Sequence, residues 1–436
     1  MSSKPTQNFT SKTLNWMRRW RSQGHLVSRS GTYPASEQEW STLLEGITEE
    51  IHRDEFTFDR MHTAPIKGNV VLTTRYLEEV LVLRKINDNI RRAYGVRQPN
   101  RQRLVKTAIQ ALNENVPKTV VRVDLRKCFE SINRTEVLKT IVSDGNVTFQ
   151  TVALLNSLFE FSSQLSPKLN TKGLPRGVII SSTLAEIKLL DLDRRIRRIP
   201  GVYLLLRYVD DLLVFSTSSE LKALTDVTSA IESAGLRPNP IKTKPVRIAC
   251  GCEESCTHGQ ACPCKKACKC AEQNPELEHV EYLGYKLFFL PHNGKQANQI
   301  YCALSDRKVA KIKSRIHLAI SSYTNSGDHK LLELRMKYLT ANQAVHQSLN
   351  RRAMFSGLAY THALYDPPPN GAAKGNLIAD LDQFYRAGLR RLAKTRKPPN
   401  EDHLLKLSFQ SGFDHKRRTK FSAAEMNRIR ECWQNA

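Results

Sequence analysis

Apolar residues at Trp40, Leu43, Leu44, Ile47 and Ile51 recur at the three-to-four spacing of one helical face. Ser36 stands three residues ahead of Glu39, the spacing of a capping box, so a helix is predicted to start just after Ser36. Upstream lies a basic aromatic stretch, Trp16-Met17-Arg18-Arg19-Trp20-Arg21. Residues 84–112 mix basic and apolar positions and break at Pro99-Asn100. The centre, residues 118–290, changes period: runs at 120–125, 203–215 and 280–290 read as strands and alternate with helical segments. From Leu304 onward the helical period returns. Val309, Ile312, Ile316 and Ile320 make an apolar stripe, and Lys308, Lys311 and Arg315 are read as a basic face on the other side. Residues 366–376, with three prolines and two glycines, are a loop, and no internal repeat is visible.

Length and charge narrow the classes. A chain of 436 residues has room for two or three domains, and 40% apolar residues suit a folded protein. Lys and Arg total 67 against 42 Asp and Glu, a net charge of +25, which favours a polyanionic partner. No apolar run approaches the roughly 20 residues that span a bilayer, so no membrane partner is expected. Residues 1–13 are polar and lack a signal-peptide core, so the expected location is cytoplasmic, with reduced thiols.

The segment Tyr208-Val209-Asp210-Asp211-Leu212 lies between two apolar runs, so the pattern predicts a hairpin with two adjacent acids at its tip. Neighbouring carboxylates repel, and a divalent cation relieves them; magnesium prefers such oxygens and keeps room for phosphate and water. A third acid, Asp124, ends the apolar run Val120-Val121-Arg122-Val123 and precedes Lys127, Cys128 and Phe129. If that strand lies beside the hairpin, Asp124, Asp210 and Asp211 hold two Mg2+ ions about 4 Å apart, suited to phosphoryl transfer. Taken alone, an Asp-Asp pair is more often a polar turn.

Five segments in order resemble the motifs of the reverse transcriptases, over roughly residues 80–330. They are Asp124 to Phe129; Gly173-Leu174-Pro175-Arg176-Gly177 with Ser181 and Ser182; Tyr208-Val209-Asp210-Asp211; Gly235-Leu236 with Asn239, Lys242 and Thr243; and Tyr282-Leu283-Gly284-Tyr285. The resemblance implies roles. Phe129 falls at the sugar gate that favours deoxynucleotides, Arg176 and Gly177 at the nucleotide, and Lys242 where a proton passes to leaving pyrophosphate. Arg101 and Arg103 are candidates for a triphosphate clamp. Tyr282, Leu283 and Gly284 form the primer grip. Arg176 departs from the retroviral glutamine, and Thr183 with Glu186 has capping-box spacing, predicting a helix start there. This arginine version resembles the bacterial defence-associated and abortive-infection reverse transcriptases, among them the smaller polymerase of the type 3 system. That implies a noncoding RNA and a second reverse transcriptase subunit, in a higher oligomer, as partners.

Seven of the ten cysteines crowd into one segment: Cys250, Cys252, Cys256, Cys262, Cys264, Cys268 and Cys270, with His258 among them. Thiolates at this density repel unless protonated or metal-bound, which predicts structural Zn2+, one to three ions. Lys265, Lys266 and Lys269 lie in the same stretch, so the insertion is either a staple or a contact for RNA or a partner.

The expected fold is α+β: a right-hand polymerase with fingers, a ferredoxin-like antiparallel palm, a helical thumb and a small zinc-binding insertion. Residues 1–117 are assigned to an N-terminal extension and fingers. Residues 118–290 form the palm, with a fingers part at 143–180 and the Cys-rich insertion at 249–272. The thumb covers 291–365 and a basic helical extension 366–436. Lys308, Lys311 and Arg315 are expected to lie along nucleic-acid phosphates, and the basic stretches at 390–397 and 416–418 to meet structured RNA. The expected reaction is DNA synthesis from dNTPs on an RNA template, giving a DNA product. The alternatives are an RNA-dependent RNA polymerase, which Phe129 argues against, and a non-catalytic scaffold subunit, which the full set of aspartates argues against.

Overall fold

In the computed structural model the described residues are 6–18, 26–66, 68–114, 116–165, 172–248, 279–290, 299–347, 353–368 and 377–433. The order opens with α1 (Ser11–Arg18), α2 (Glu37–His52), β1 (His62–Ile66), β2 (Asn69–Thr73), α3 (Leu77–Ala93), α4 (Arg101–Asn113) and β3 (Lys118–Asp124). There follow α5 (Cys128–Ser131), α6 (Arg134–Asp144), α7 (Phe149–Leu165), α8 (Ile179–Arg197), β4 (Val202–Tyr208), β5 (Asp211–Ser216), α9 (Glu220–Ser233) and β6 (Lys244–Ile248). The last part holds β7 (His279–Tyr282), β8 (Tyr285–Leu290), β9 (Gln299–Leu304), α10 (Asp306–Ser326), α11 (His329–Thr340), β10 (Asn342–Gln347), β11 (Ala353–Ser356) and α12 (Leu358–Thr361). It closes with α13 (Ile378–Arg396), α14 (Glu401–Lys406), α15 (Phe409–Asp414), β12 (Arg418–Thr419) and α16 (Ala423–Glu431).

The chain packs as two compact units. The first comprises Met1–Gln98, Val123–Leu205 and Leu221–Lys244. In it, the Ser36 hydroxyl accepts the Glu39 amide at 3.2 Å and starts α2 where the spacing predicted. The Glu39 carboxylate takes the Ala35 amide instead of that of Ser36, one residue short of a full capping box. Trp40, Leu44, Ile47 and Ile51 are buried, and Leu43 is half-buried. Helix α3 is buried over most of its surface, and it must therefore satisfy polar groups internally. The Lys85 ammonium does so by donating to Thr6 O and Asn89 Oδ1.

One predicted start is corrected in this unit. Helix α8 begins at Ile179, not after Thr183, and its N-cap is Val178. Thr183 lies inside the helix, where its buried hydroxyl donates to Asn87 Oδ1 at 2.6 Å. That side chain satisfies a buried amide rather than capping an end.

The second unit comprises Pro99–Arg122, Leu206–Glu220 and Pro245–Ala436. It carries most of the four-stranded sheet, ordered β4–β5–β3–β6, and the antiparallel sheet β7–β8–β9. The apolar run at 280–290 is thus a hairpin rather than one strand. Tyr282 pairs with Tyr285 across a two-residue turn in which Leu283 has φ 47° and Gly284 φ 80°, the double positive φ of a tight hairpin connection. One hydrophobic core joins α10 and α11 to the C-terminal helices, with Ile316, Met336, Tyr385, Leu404 and Trp433 all buried in it.

The basic row of α10 also needs correction. Val309, Ile312 and Ile316 are buried, and Ile320 packs against the same core. Lys308, Lys311 and Arg315 each precede a buried residue by one position, which is a rotation of about 100°. They therefore flank the apolar stripe rather than oppose it, and all three are half-buried. Arg315 spends its cation on the Trp433 ring at 5.4 Å. Among the described residues no helix is long and apolar enough to cross a membrane.

Candidate active site

Asp124 is the last residue of β3, and the chain after it is zipped to the segment following α9. Arg126 donates its amide to Arg237 O at 2.8 Å, and Asn239 donates its amide to Asp124 O at 2.7 Å. Pairing in this register brings two side chains onto the Asp124 carboxylate. Lys242 Nζ lies 2.9 Å from Oδ1 and 3.0 Å from Oδ2, and Asn239 Nδ2 donates to Oδ2 at 3.2 Å. Two motifs that the sequence separates by more than a hundred residues thus meet at one carboxylate.

Lys127, at φ 46°, turns the chain into α5 and presents Phe129 and Glu130. The Gly173-to-Gly177 loop fits against this turn. Leu174 donates its amide to Phe129 O at 2.9 Å. A side chain on Gly173 would place its Cβ 2.5 Å from Glu130 O, so only glycine allows the approach. Gly177, at φ 99°, packs equally tightly on Leu72 O. The Arg176 guanidinium makes a two-pronged ion pair with Glu130: Nε donates to Oε1, and Nη2 donates to Oε2 at 3.1 Å. Burial works to raise the Glu130 carboxyl, but the bond to Arg176, a backbone hydrogen bond and the charges of Arg176 and Lys127 together outweigh it, and the pKa is lowered.

These contacts form a cavity of about 340 Å³ lined by Ile66, Asn69, Val71, Phe129, Arg176, Gly177, Val178, Ser181 and Ser182. Phe129, Arg176 and Gly177, nominated from the sequence as nucleotide-binding, therefore share one wall. Arg101 and Arg103, nominated with them, do not line it. Arg101 donates to the carbonyls of Leu283 and Thr361, the latter at 3.1 Å, and Arg103 is exposed on α4. Arg101 thus braces the hairpin turn carrying Leu283.

Asp210 and Asp211 follow Val209, whose φ of 57° is unusual for a β-branched residue in a two-residue hairpin turn. Asp211 opens β5. Its Oδ1 lies 3.6 Å from Arg122 Nε, and Arg122 Nη1 donates to Glu281 Oε2 at 3.0 Å. Tyr282 is fully buried; burial, and then the Asp211 charge, pushes its phenol well up. Sequence reasoning missed Glu130, Arg122 and Glu281. Their partners lie 46 to 159 residues away, so no local spacing announces them.

The Lys308 ammonium is pushed down to about 8 by burial, and then by the charges of Arg101, Arg315 and Lys311. Cys250, Cys252, Cys256, His258, Cys262, Cys264, Cys268 and Cys270 lie outside the described residues. Among the described residues no group of three or more metal-binding side chains is gathered at metal-holding geometry.

Residues 70–287, half of the chain, match the profile of the reverse transcriptase (RNA-dependent DNA polymerase) family. The chain belongs to that family. Membership carries the right-hand polymerase fold and RNA-directed DNA synthesis from dNTPs, a chemistry that normally uses Mg2+. No curated protein matches the chain.

Proposed function

We propose that this chain is a catalytically competent RNA-directed DNA polymerase whose reaction centre comprises Asp124, Asp210, Asp211 and Lys242. The observation that carries the proposal is the cavity that gathers Phe129, Arg176 and Gly177, three residues that motifs far apart in sequence nominate. Carboxylates stand at the end of β3 and the start of β5, neighbours in one sheet, and hard oxygen donors of this kind suit magnesium. Magnesium supplies activation of the 3′-hydroxyl and neutralisation of pyrophosphate.

The chain's own residues do the rest. The Phe129 ring lines the nucleotide cavity, where its bulk excludes a ribose 2′-hydroxyl. Glu130 fixes the direction of Arg176, so the guanidinium is a shaped wall before any phosphate reaches it. Lys242 holds a proton beside Asp124 for transfer to leaving pyrophosphate. Tyr282, Leu283 and Gly284 form a turn braced by Arg101, suited to holding a primer end. Lys308, Lys311 and Arg315 add positive charge along α10. Resemblance supports a place in antiphage defence with a noncoding RNA and a second polymerase subunit. Thiolate density supports zinc at the cysteine cluster, and metal analysis of the purified protein that finds no zinc sinks that part.

The test is incorporation of labelled dNTPs on an RNA template with a DNA primer, by the intact chain and by Asp210→Asn/Asp211→Asn. Synthesis by the first and a loss of about 10³-fold or more in the second are expected. Equal synthesis by both removes the aspartates from the chemistry and favours a scaffold role. Phe129→Ala is expected to raise rNTP use relative to dNTP by about tenfold or more. A wild-type preference for rNTPs would instead mark an RNA polymerase.

A further inference from the structure

The two basic stretches of the C-terminal part differ in what their cations do. In the stretch at 416–418, Arg417 donates to Thr340 Oγ1 at 2.8 Å, and Arg418 lies 4.3 Å from the Phe355 ring and donates to the Tyr360 hydroxyl. Those cations hold the fold together. Helix α13 is different. Its residues 383–396 carry five cations and no acid. Among the described residues one of the five has a hydrogen bond: Arg396 donates to Thr324 O at 2.9 Å, at the end of α10. Arg386, Arg390, Arg391 and Lys394 are exposed, and among the described residues none of them has an ion pair or hydrogen bond.

Helical geometry gathers these four. The opposite face, with Leu381, Tyr385, Leu389 and Leu392, is buried in the core. At about 100° per residue, Arg386, Arg390 and Lys394 form a row rising roughly 12 Å, with Arg391 beside it. Like charges four residues apart on a helix cost a few tenths of a kcal/mol each, so the row opposes the helix that bears it. A polyanion along the row reverses the sign of that term.

The chemistry selects among polyanions. A helix that lies on a membrane presents an apolar face to it, but the apolar face of α13 is already in the core. A protein partner would need an apolar centre to the patch. The large apolar residue here, Phe384, is 36% exposed and lies under the Lys313 ammonium at 5.4 Å. A duplex, with one charge per about 1.7 Å of axis, offers several phosphates along such a row. We propose that Arg386, Arg390, Arg391 and Lys394 form a sequence-independent binding face for the phosphate backbone of a structured nucleic acid. This site adds a partner surface to the polymerase reading and does not depend on catalysis.

The experiment measures anisotropy of a fluorescein-labelled RNA duplex against full-length protein across a salt series. Wild type is compared with R386Q/R390Q/R391Q/K394Q, with the single variant Arg390→Glu, and with Asp210→Asn/Asp211→Asn. The fourfold variant is expected to raise Kd about tenfold or more. It should also flatten the slope of log Kd against log salt by about 0.9 for each phosphate that is no longer neutralised. Arg390→Glu should shift Kd in the same direction, which keeps the test valid if the fourfold variant fails to fold. The double aspartate variant should keep the wild-type slope, so failure of the catalytic reading is seen separately. An unchanged slope in a folded fourfold variant overturns the proposal. So does a loss confined to binding of a labelled polyglutamate, which would mark an acidic protein as the occupant.

Discussion

The Lys242 ammonium stands 2.9 and 3.0 Å from the two carboxylate oxygens of Asp124, held there by the pairing of the chain after β3 with the segment following α9. In the proposed reaction centre this ammonium would share Asp124 with a divalent ion and repel it, while its proton would serve the leaving group. Lys242→Gln should therefore move two quantities, each for its own reason. Half-saturation should fall in a magnesium titration of nucleotide incorporation, and kcat should fall about 10²-fold or more. An unchanged kcat would remove Lys242 from the chemistry, and a raised magnesium requirement would make it a structural support for Asp124.

Arg176 and Glu130 give a second test, because their side chains are 35% and 24% exposed and the pair is neither free in water nor fully desolvated. In a double-mutant cycle with Arg176→Gln and Glu130→Gln, the coupling energy should be about 1 kcal/mol, between a surface pair and a buried one. Each single variant should raise the KM for dNTP several-fold while leaving the unfolding midpoint within a few degrees. Additive effects in the cycle would mean that the two residues act on nucleotide binding independently.

Much of the site was legible because its parts repeat a local pattern. The strand ending in Asp124 and the hairpin around Asp210 and Asp211 show as apolar runs interrupted by acids, and β3, β4 and β5 fall on them. The stripe of α2 was equally plain. What stayed hidden depends on long-range pairing. Glu130 looks like any exposed acid until Arg176 meets it, and Arg122 looks like an interruption of an apolar strand until Glu281 and Asp211 take its nitrogens. Thr183 misled because its spacing to Glu186 matches a cap while its hydroxyl serves Asn87. The basic row of α10 misled because one residue along a helix is a turn of about 100° and not the far side.

Gly173 sets how closely the loop carrying Arg176 approaches Glu130. A methyl group there meets backbone atoms at 2.5 to 2.8 Å, which cannot swing away as a side-chain end could. Gly173→Ala should cost about 1–3 kcal/mol of stability as the two loops separate. The Leu174-to-Phe129 hydrogen bond should lengthen with them, which moves the ring proposed to gate the sugar. Urea unfolding and the dNTP-to-rNTP incorporation ratio check this together. A variant as stable and as selective as wild type would show that the loops tolerate separation.

His362 gives the fold of the second unit a pH dependence whose sign can be stated. It is 2% exposed, and burial, followed by the charges of Lys308 and Arg101, holds its imidazole down to about 3. The unfolded chain binds that proton near pH 6.5, the native protein only near pH 3, so between these values the unfolded state holds more protons. Stability therefore falls as pH drops through this window, by up to about 1.4 kcal/mol per unit from this residue, and the loss ends below the native value. Above about pH 7 both states are neutral and His362 contributes only its neutral contacts, among them the hydrogen bond between its Nδ1 and Thr361 Oγ1 at 3.0 Å and its ring contact with Tyr285 at 4.9 Å. Urea unfolding of wild type and His362→Gln at pH 7.5 and pH 5 separates the two contributions. Wild type should lose more stability than the variant on acidification, although the variant starts lower at pH 7.5. Parallel losses in the two proteins would mean that His362 takes up its proton in the native state as readily as in the unfolded one.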